Sequence, residues 1–506
     1  MTSLFPAGGQ VGTTVEVTAA GSFDKWPVTA WASDKAVTVA AGKDKGKLNV
    51  TIAAGATPGV VWLRMADESG ASPLRPFVGG VLPEAMEKEP NDEAAKPQAV
   101  AGSCVVNGKL AKGGDVDVFA VTLAKGQTLV ASLEANHRLR SPMDAVLQVA
   151  SADGFVLDQD HDHHGLDPQV AFTAPKAGTF LVRIFAFPSQ PDSSIRFFGS
   201  EACVYRLTLT TAGFADFPAV LAKKKGEKLK VETVGWNLST KPVVPSRVAV
   251  REEDHPCFDF TNTTADSPLS PPFTLTGRVK EPQAANTFPM KVTKGKPVTL
   301  QVESRALELP LTPVLRVVDE AGKQLARAEP AKPNADCELT LAPTKDETVR
   351  VEVRDLYHAG GPRFVYRLRA VHAEPDIEAT VASDRFALTP GTPLELLVTV
   401  NVKGGLLAVL AGDYELKAEG LPPEVKLELV PQDAKAKIPA KVRLTTTAAN
   451  LSTAFRLNVV GTFKDGTKLV RPVRAALADF ETATADLWLT VGADAKVAPP
   501  MPKKKK

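Results

Sequence analysis

Short alternations of apolar and polar residues run along the chain. From Gly12, Thr13-Thr14-Val15-Glu16-Val17-Thr18 alternates with period two, and Ala36-Val37-Thr38-Val39 and Leu48-Asn49-Val50-Thr51-Ile52 repeat the pattern. That period puts successive side chains on opposite faces of a strand. Turn residues at Gly8-Gly9 and Thr57-Pro58-Gly59 separate the runs, and nothing before Val81 has the three-to-four spacing of an amphipathic helix. Residues 1–82 therefore read as a β-sandwich.

The pattern continues through 83–212, with strands expected at Asp117–Leu123, Leu129–Leu133, Ala145–Val149 and Thr179–Ile184, and turns at Lys125-Gly126, Asp153-Gly154 and Lys176-Ala177-Gly178. Short strands at regular spacing with hardly a helix between them argue a jelly-roll-like sandwich. The pattern then returns. Gly12, Val15, Val17 and Gly21 recur as Gly226, Leu229, Val231 and Gly235 at an offset of 214. Gly108, Phe119 and Lys125-Gly126 recur as Gly277, Phe288 and Lys294-Gly295 at 169, and Tyr205-Arg206-Leu207 recurs as Tyr366-Arg367-Leu368 at 161. Offsets that shrink at loops are those of a diverged duplication.

The expected fold class is thus all-β, with tandem β-sandwich domains of immunoglobulin-like and jelly-roll-like type arranged as a rod. The units are 1–82 (immunoglobulin-like), 83–212 (jelly-roll-like), 213–272 (immunoglobulin-like), 273–373 (a degenerate copy of 83–212) and 374–490 (immunoglobulin-like). Residues 491–506, ending in four lysines, read as a disordered basic tail.

Composition narrows the function. Lys plus Arg number 60 against 58 for Asp plus Glu, and this near-balance gives no field to attract nucleic acid or an anionic membrane. No apolar run is long enough to span a bilayer, so no membrane insertion is expected. The start of the chain lacks the basic and apolar stretches of a signal peptide. Cys104, Cys203, Cys257 and Cys337 contain no Cys-x-x-Cys pair; a bridge between Cys104 and Cys203 and buried free thiols are both open.

Two polar stretches are candidates for chemistry. The first is Glu87-Lys88-Glu89-Pro90-Asn91-Asp92-Glu93 followed by Gly114-Asp115-Val116-Asp117-Val118-Phe119. Its carboxylates and amide could converge as hard oxygen ligands for a cation such as calcium, or the first piece could be a solvated linker. Ala284 and Asn286 stand where the second copy would carry Asp115 and Asp117, so the copy is expected to keep the scaffold without the cation site. The second stretch is Asp158-Gln159-Asp160-His161-Asp162-His163-His164-Gly165-Leu166-Asp167. It fails as an EF-hand loop, because His163 and Gln169 occupy the positions of the required Gly and Glu. Adjacent His163 and His164 project differently in regular backbone, so the run reads as a surface loop without a specific metal.

Catalysis finds little support. The chain has no His-Glu-x-x-His, no Gly-x-Ser-x-Gly and no phosphate-binding Gly-x-x-x-x-Gly-Lys. His137, His255, His358 and His372 are scattered and read as structural or exposed rather than as general bases. Phe185, Phe187, Phe197 and Phe198 flank a loop of the second unit, where they either anchor the loop or touch a partner.

Glu-Pro-Asn-Asp, Asn107-Gly108-Lys109-Leu110 and Asp115-Val116-Asp117-Val118-Phe119 together resemble the opening of the bacterial pre-peptidase C-terminal domain, a small sandwich appended to secreted proteases. Glu87, Glu89, Asn91 and Asp92 also match the spacing of a calcium-binding linker in the similar collagen-binding domains of bacterial collagenases. The resemblance implies calcium as cofactor, those four residues as metal ligands, and Asp115 and Asp117 completing the shell. Gly420-Leu421-Pro422-Pro423-Glu424-Val425 resembles a turn of bacterial immunoglobulin-like extracellular repeats, departing from it at Glu424. By analogy the chain is expected to be secreted, periplasmic or at the cell surface, with its leader outside the residues given. The expected function is non-catalytic binding or spacing, with a protein or polysaccharide surface ligand as partner. The alternatives are an accessory region of a secreted peptidase system and a cryptic hydrolase using Asp160 and His163.

Overall fold

The computed structural model describes residues 1–496 apart from 191–192, 194–195, 264, 266, 333–334, 373–375, 404–413, 431–439 and 481. The expected tail lies outside the described residues from 497 on. Among those described, every element is a strand except a one-turn helix at Asn136–Leu139 and a 3-10 turn at Arg305–Leu307. The chain is all-β.

In the first unit a sheet ordered Ser3–Phe5, Thr14–Ala20, Lys47–Ile52, Val37–Ala41 packs on one ordered Gly8–Gln10, Arg75–Gly80, Gly59–Asp67, Thr29–Ala32. Alternation sets the core. Val17, Leu48, Val50 and Ile52 meet Val61, Leu63, Met65 and Phe77 across the gap. Each such side chain contributes ~1.5–3 kcal/mol on burial, against ~0–1 kcal/mol for an exposed ion pair, so the cores rather than the surface charges hold the units.

The second unit is a pair of five-stranded sheets. One runs Glu84–Met86, Ser103–Lys109, Val204–Thr210, Thr128–Glu134, Gln169–Thr173; the other runs Gln98–Ala99, Asp117–Leu123, Gly178–Pro188, Met143–Ser151, Val156–Asp160. The stretch between Glu84 and Ala99 therefore begins as the edge of one sheet and ends as the edge of the other, both times parallel to its neighbour. Phe119, Val121 and Leu123 face the core between the sheets.

Residues 257–372 repeat this order. Cys257–Phe260, Phe273–Arg278, Val365–His372, Val298–Glu303 and Cys337–Leu341 form one sheet, and Ala285–Val292, Glu347–Asp355, Pro313–Val318 and Gln324–Ala328 the other. Register is kept as well: Asp117 lies opposite Ile184, and Asn286 lies opposite Val353. Asp167 accepts from the backbone of Ala135, Asn136 and His137, and Asp336 accepts from Ser304, Arg305 and Ala306 in the same way. The aromatic rings of Tyr205 and Tyr366 lie where a Cβ on Gly108 or Gly277 would be, so both positions need glycine. This sandwich starts earlier than the expected residue 273, because Cys257–Phe260 is its parallel edge strand.

Residues 213–253 depart from expectation. In place of a sandwich they form a three-stranded sheet, Thr233–Trp236, Gly213–Pro218 and Val243–Val244, and a parallel pair, Ala222–Lys224 with Arg251–Glu253. In the run matched to Thr14–Ala20 only its last two residues, Thr233 and Val234, are strand, and its Leu229 is exposed. So short a segment carries too few apolar side chains to close two sheets on each other. Its Phe217 and Leu221 instead pack against Leu309 and Val365 of the following sandwich. One feature of the junction is shared by both halves of the chain: Arg206 fills the space beside Gly8 of the first unit, and Arg367 donates to the Leu221 carbonyl at 3.1 Å.

Residues 376–491 form a continuous strand path through Arg385–Leu388, Leu487–Val491, Leu451–Thr462, Lys468–Leu477, Asp376–Val381, Leu394–Lys403, Ala440–Thr445 and Lys426–Val430. The core is built on Leu457, Val459, Val473 and Leu489.

The rod is not observed, because the chain returns on itself. Trp62 and Arg64 alternate with core residues of the first unit and so point outward, and Trp488 does the same in the last unit. Trp62 meets Phe480 edge-on at 4.9 Å between ring centres, Trp31 meets Trp488 at 6.2 Å, and buried Arg64 pairs with Asp384. Outward-facing rings this large gain by covering one another.

The Cys104–Cys203 bridge is not formed either, and all four cysteines are free. In the ladder of Ser103–Lys109 on Val204–Thr210, Cys104 lies opposite Leu209 while Cys203 lies beyond the far end at Lys109. At ~3.3 Å per residue the two sulfurs are far out of bonding reach.

Candidate functional site

The Glu87–Glu93 piece crosses from one sheet edge to the other at the end of the second unit, over the start of strand Asp117–Leu123. Two backbone contacts seat it. Glu87 N donates to the Asn107 carbonyl at 2.9 Å, and Val118 N donates to the Asn91 carbonyl at 3.0 Å. Of this piece Asn91 is buried and Glu87 half-buried while the other five residues are exposed, and it lies over the buried Asp115 and Asp117.

All six expected residues meet here. Glu87, Glu89 and Asp117 each offer an oxygen within 4.8 Å of the others, and so do Glu89, Asp92 and Asp115. Glu89 belongs to both groups and joins them. The Asn91 side-chain oxygen faces the same carboxylates; turned over, its NH2 would donate to Asp117 Oδ1 at 3.2 Å and Glu89 Oε2 at 3.0 Å.

Some of the oxygens are held by protein donors. Glu87 Oε2 accepts from Lys109 N at 2.7 Å, Asp115 Oδ2 from Ala111 N at 2.5 Å, and Asp117 Oδ2 from the Tyr205 hydroxyl at 2.5 Å. Others are not: Glu87 Oε1 and Asp115 Oδ1 are buried and make no hydrogen bond to a fixed N–H or hydroxyl donor. Burial pushes the Asp117 carboxyl up to about 9, with the Glu87 charge the next cause, and burial likewise raises Glu87 and Asp115. Left to themselves, Glu87 and Asp117 coexist only by sharing a proton. Oxygen donors alone, several anionic, are the set a hard cation such as calcium takes.

Among the described residues of the second sandwich no such cluster is found. Asn286 stands at the place of Asp117 with its Oδ1 buried and unpartnered, and the Tyr366 hydroxyl is likewise without a partner. Tyr205 escaped the sequence reading as a site residue although its recurrence as Tyr366 was visible. Its role depends on Asp117 lying across the sandwich, which spacing does not reveal.

The histidine run is placed differently from expectation. Asp158, His161 and Asp162 are exposed, but His164 is buried and His163 half-buried, both near Asp216 of the next segment. The surface-loop reading fails for this pair because a neighbouring segment covers it. Asp160 accepts from Gln169 N at 2.9 Å and supports the turn. Phe185 stacks on Phe197 at 4.5 Å, while Phe198 packs against the core, so the phenylalanines anchor their loop and leave Phe187 and Phe197 partly exposed.

No known family profile matches the chain, and no curated protein matches it. Among solved structures, the pre-peptidase C-terminal domain of a collagenase from Bacillus anthracis aligns over 24% of this chain and 100% of its own, at 13% identity and a TM-score of 0.18. SGBP-B from the Bacteroides ovatus mixed-linkage glucan utilization locus, solved with a mixed-linkage heptasaccharide, aligns over 73% of this chain and 74% of its own at 10% identity and a TM-score of 0.15. The insect immune protein hemolin aligns over 96% and 98% at 10% identity and a TM-score of 0.21. At such TM-scores these likenesses decide nothing about function. No helix among the described residues is long and apolar enough to cross a membrane.

Proposed function

We propose that this chain is a non-catalytic, exported multidomain binding protein, acting at the cell surface or in the periplasm on a protein or polysaccharide ligand, with its second unit stiffened by calcium. The observation that supports the calcium part is the pair of buried oxygens with no fixed protein donor, Glu87 Oε1 and Asp115 Oδ1, within a cluster of carboxylates. Burying such oxygens without a counter-charge is costly, and a cation removes the cost. Binding rather than catalysis is supported by the build of the array: sandwich loops and edge strands are presented outward. Phe155, Val156 and Leu157 are exposed at one such edge.

Calorimetry of the full chain with calcium tests the cation. Saturable binding is expected in the wild type, with affinity at least about tenfold lower, or ~1.4 kcal/mol, in Asp117→Asn. No saturable heat in the wild type would remove calcium from the proposal. Co-sedimentation with insoluble polysaccharides and with immobilised matrix proteins, with and without calcium, tests the binding role. Failure to retain the chain on any of these surfaces counts against it.

A further inference from the structure

At the centre of the molecule the second unit, the small 213–253 segment and the second sandwich converge on a group of buried charges. Arg247 lies 3.4 Å from Glu134 and 3.5 Å from Glu308, and Arg138 reaches the same two carboxylates. Beside them a cavity of about 250 Å³ opens, with Glu134, His164, Arg206, Asp216 and Arg247 in its wall. One ligand nitrogen each from His163 and His164 and a carboxylate oxygen of Asp216 lie within 4.8 Å of one another at this place.

Local structure aims all three side chains. The chain turns sharply after the histidines, with Gly165 at φ +67 and His164 bridged to Asp167, and the turn lets neighbouring imidazoles approach edge-to-face at 4.7 Å. Asp216 sits where the ladder of Gly213–Pro218 on Thr233–Trp236 slips between Ala215 and Phe217, a bulge that re-aims a side chain. Arg363 holds both Asp216 oxygens, at 2.8 Å and 3.2 Å, which fixes the carboxylate and leaves further lone pairs on each oxygen.

From this placement we infer that His163, His164 and Asp216 form a binding site for a divalent transition ion of the zinc class. Two imidazoles and a carboxylate are a borderline donor set suited to such an ion and unlike the all-oxygen cluster at Glu87–Asp117. The cavity beside His164 and Asp216 supplies room for a fourth, exchangeable ligand. His164 Nδ1 is buried without a hydrogen bond, with Glu308 Oε2 3.6 Å away. Burial moves both imidazoles down, His163 to about 3 with Arg363 the next cause. Because the histidines come from the second unit and Asp216 from the segment after it, the ion clamps the two halves of the duplicated chain together.

The test uses the full chain, stripped with chelator and titrated with Zn²⁺ against a chromophoric competitor, and with Co²⁺ as a spectroscopic probe. One equivalent of Zn²⁺ is expected to bind, with the strong visible bands of four-coordinate Co²⁺ and with no competition from Ca²⁺. His163→Gln/His164→Gln is expected to weaken Zn²⁺ by about 100-fold or more, and Asp216→Asn by about tenfold or more, while Glu87→Gln/Glu89→Gln leaves it unchanged. Circular dichroism establishes whether each variant folds. A wild type that binds no stoichiometric Zn²⁺, or that gives only the weak spectrum of six-coordinate Co²⁺, overturns the site without reference to any variant. Retention of Zn²⁺ by the folded double-histidine variant does so too.

Discussion

The Tyr205 hydroxyl donates to Asp117 Oδ2 at 2.5 Å, tying the last strand of one sheet to the first residue of a strand on the other. Tyr366 occupies the same place in the second sandwich, equally buried, and its hydroxyl has no partner.

Tyrosine-to-phenylalanine exchange should therefore have opposite effects in the two copies. Tyr205→Phe removes the donor to Asp117 and should cost ~1–3 kcal/mol, whereas Tyr366→Phe removes an unsatisfied hydroxyl and should be neutral or stabilising. Denaturant unfolding followed by circular dichroism measures both. Equal losses in the two variants would contradict the account.

A second expectation concerns pH. The folded Asp117 carboxyl titrates at about 9 because of burial and then Glu87, and Glu87 and Asp115 are raised too. An unfolded carboxyl gives up its proton near pH ~4. Between these values the folded, calcium-free chain holds protons the unfolded chain has lost. The contribution of this cluster should thus be full below about pH 4 and decline as pH rises toward about 9. Melting midpoints in chelator from about pH 5 to about pH 8 should fall more steeply for wild type than for Asp117→Asn, and saturating calcium should flatten the wild-type slope. Parallel slopes for the two proteins in chelator would rule the effect out.

The closure between the first and last units includes Arg64, which is 1% exposed and paired with Asp384. Its guanidinium is brought down to about 10 by burial, partly offset by Asp384. Arg64→Ala removes the buried partner of Asp384 and leaves it only Arg385, 3.4 Å away, a change worth up to ~3–5 kcal/mol. Small-angle scattering should show a larger radius of gyration for Arg64→Ala than for wild type. Arg64→Met combined with Asp384→Leu should restore the closed dimensions. An unchanged radius in the single variant would count against closure through this pair.

Arg247 is the cation between Glu134 and Glu308, whose carboxyls it helps hold below their ordinary range. Arg247→Ala leaves both carboxylates short of a counter-charge and should destabilise the central junction by ~3–5 kcal/mol. Limited proteolysis should cut such a variant first between residues 213 and 253, and a wild-type cleavage pattern would refute the assignment.

Much of this architecture was legible in the residues themselves. Period-two alternation names inward side chains such as Leu48, Val50 and Ile52 without reference to any neighbour, because facing direction in a strand is a local property. The recurrence of Tyr205-Arg206-Leu207 as Tyr366-Arg367-Leu368 likewise announced a duplicated sandwich. That these six oxygen-bearing side chains come together was also readable, since their type and spacing are carried in two short stretches. What the residues did not determine were contacts made by outward-facing positions. Trp62 and Arg64 look like exposed residues of a strand until the last unit covers them, and His163 and His164 look like a surface loop until Asp216 arrives from another segment. The thinning of residues 213–253 to small sheets was hidden for the same reason, because its apolar side chains are buried by a neighbour. Alternation and spacing act within one element and are written along the chain; which element covers another depends on how whole units pack, and only the three-dimensional arrangement decides that.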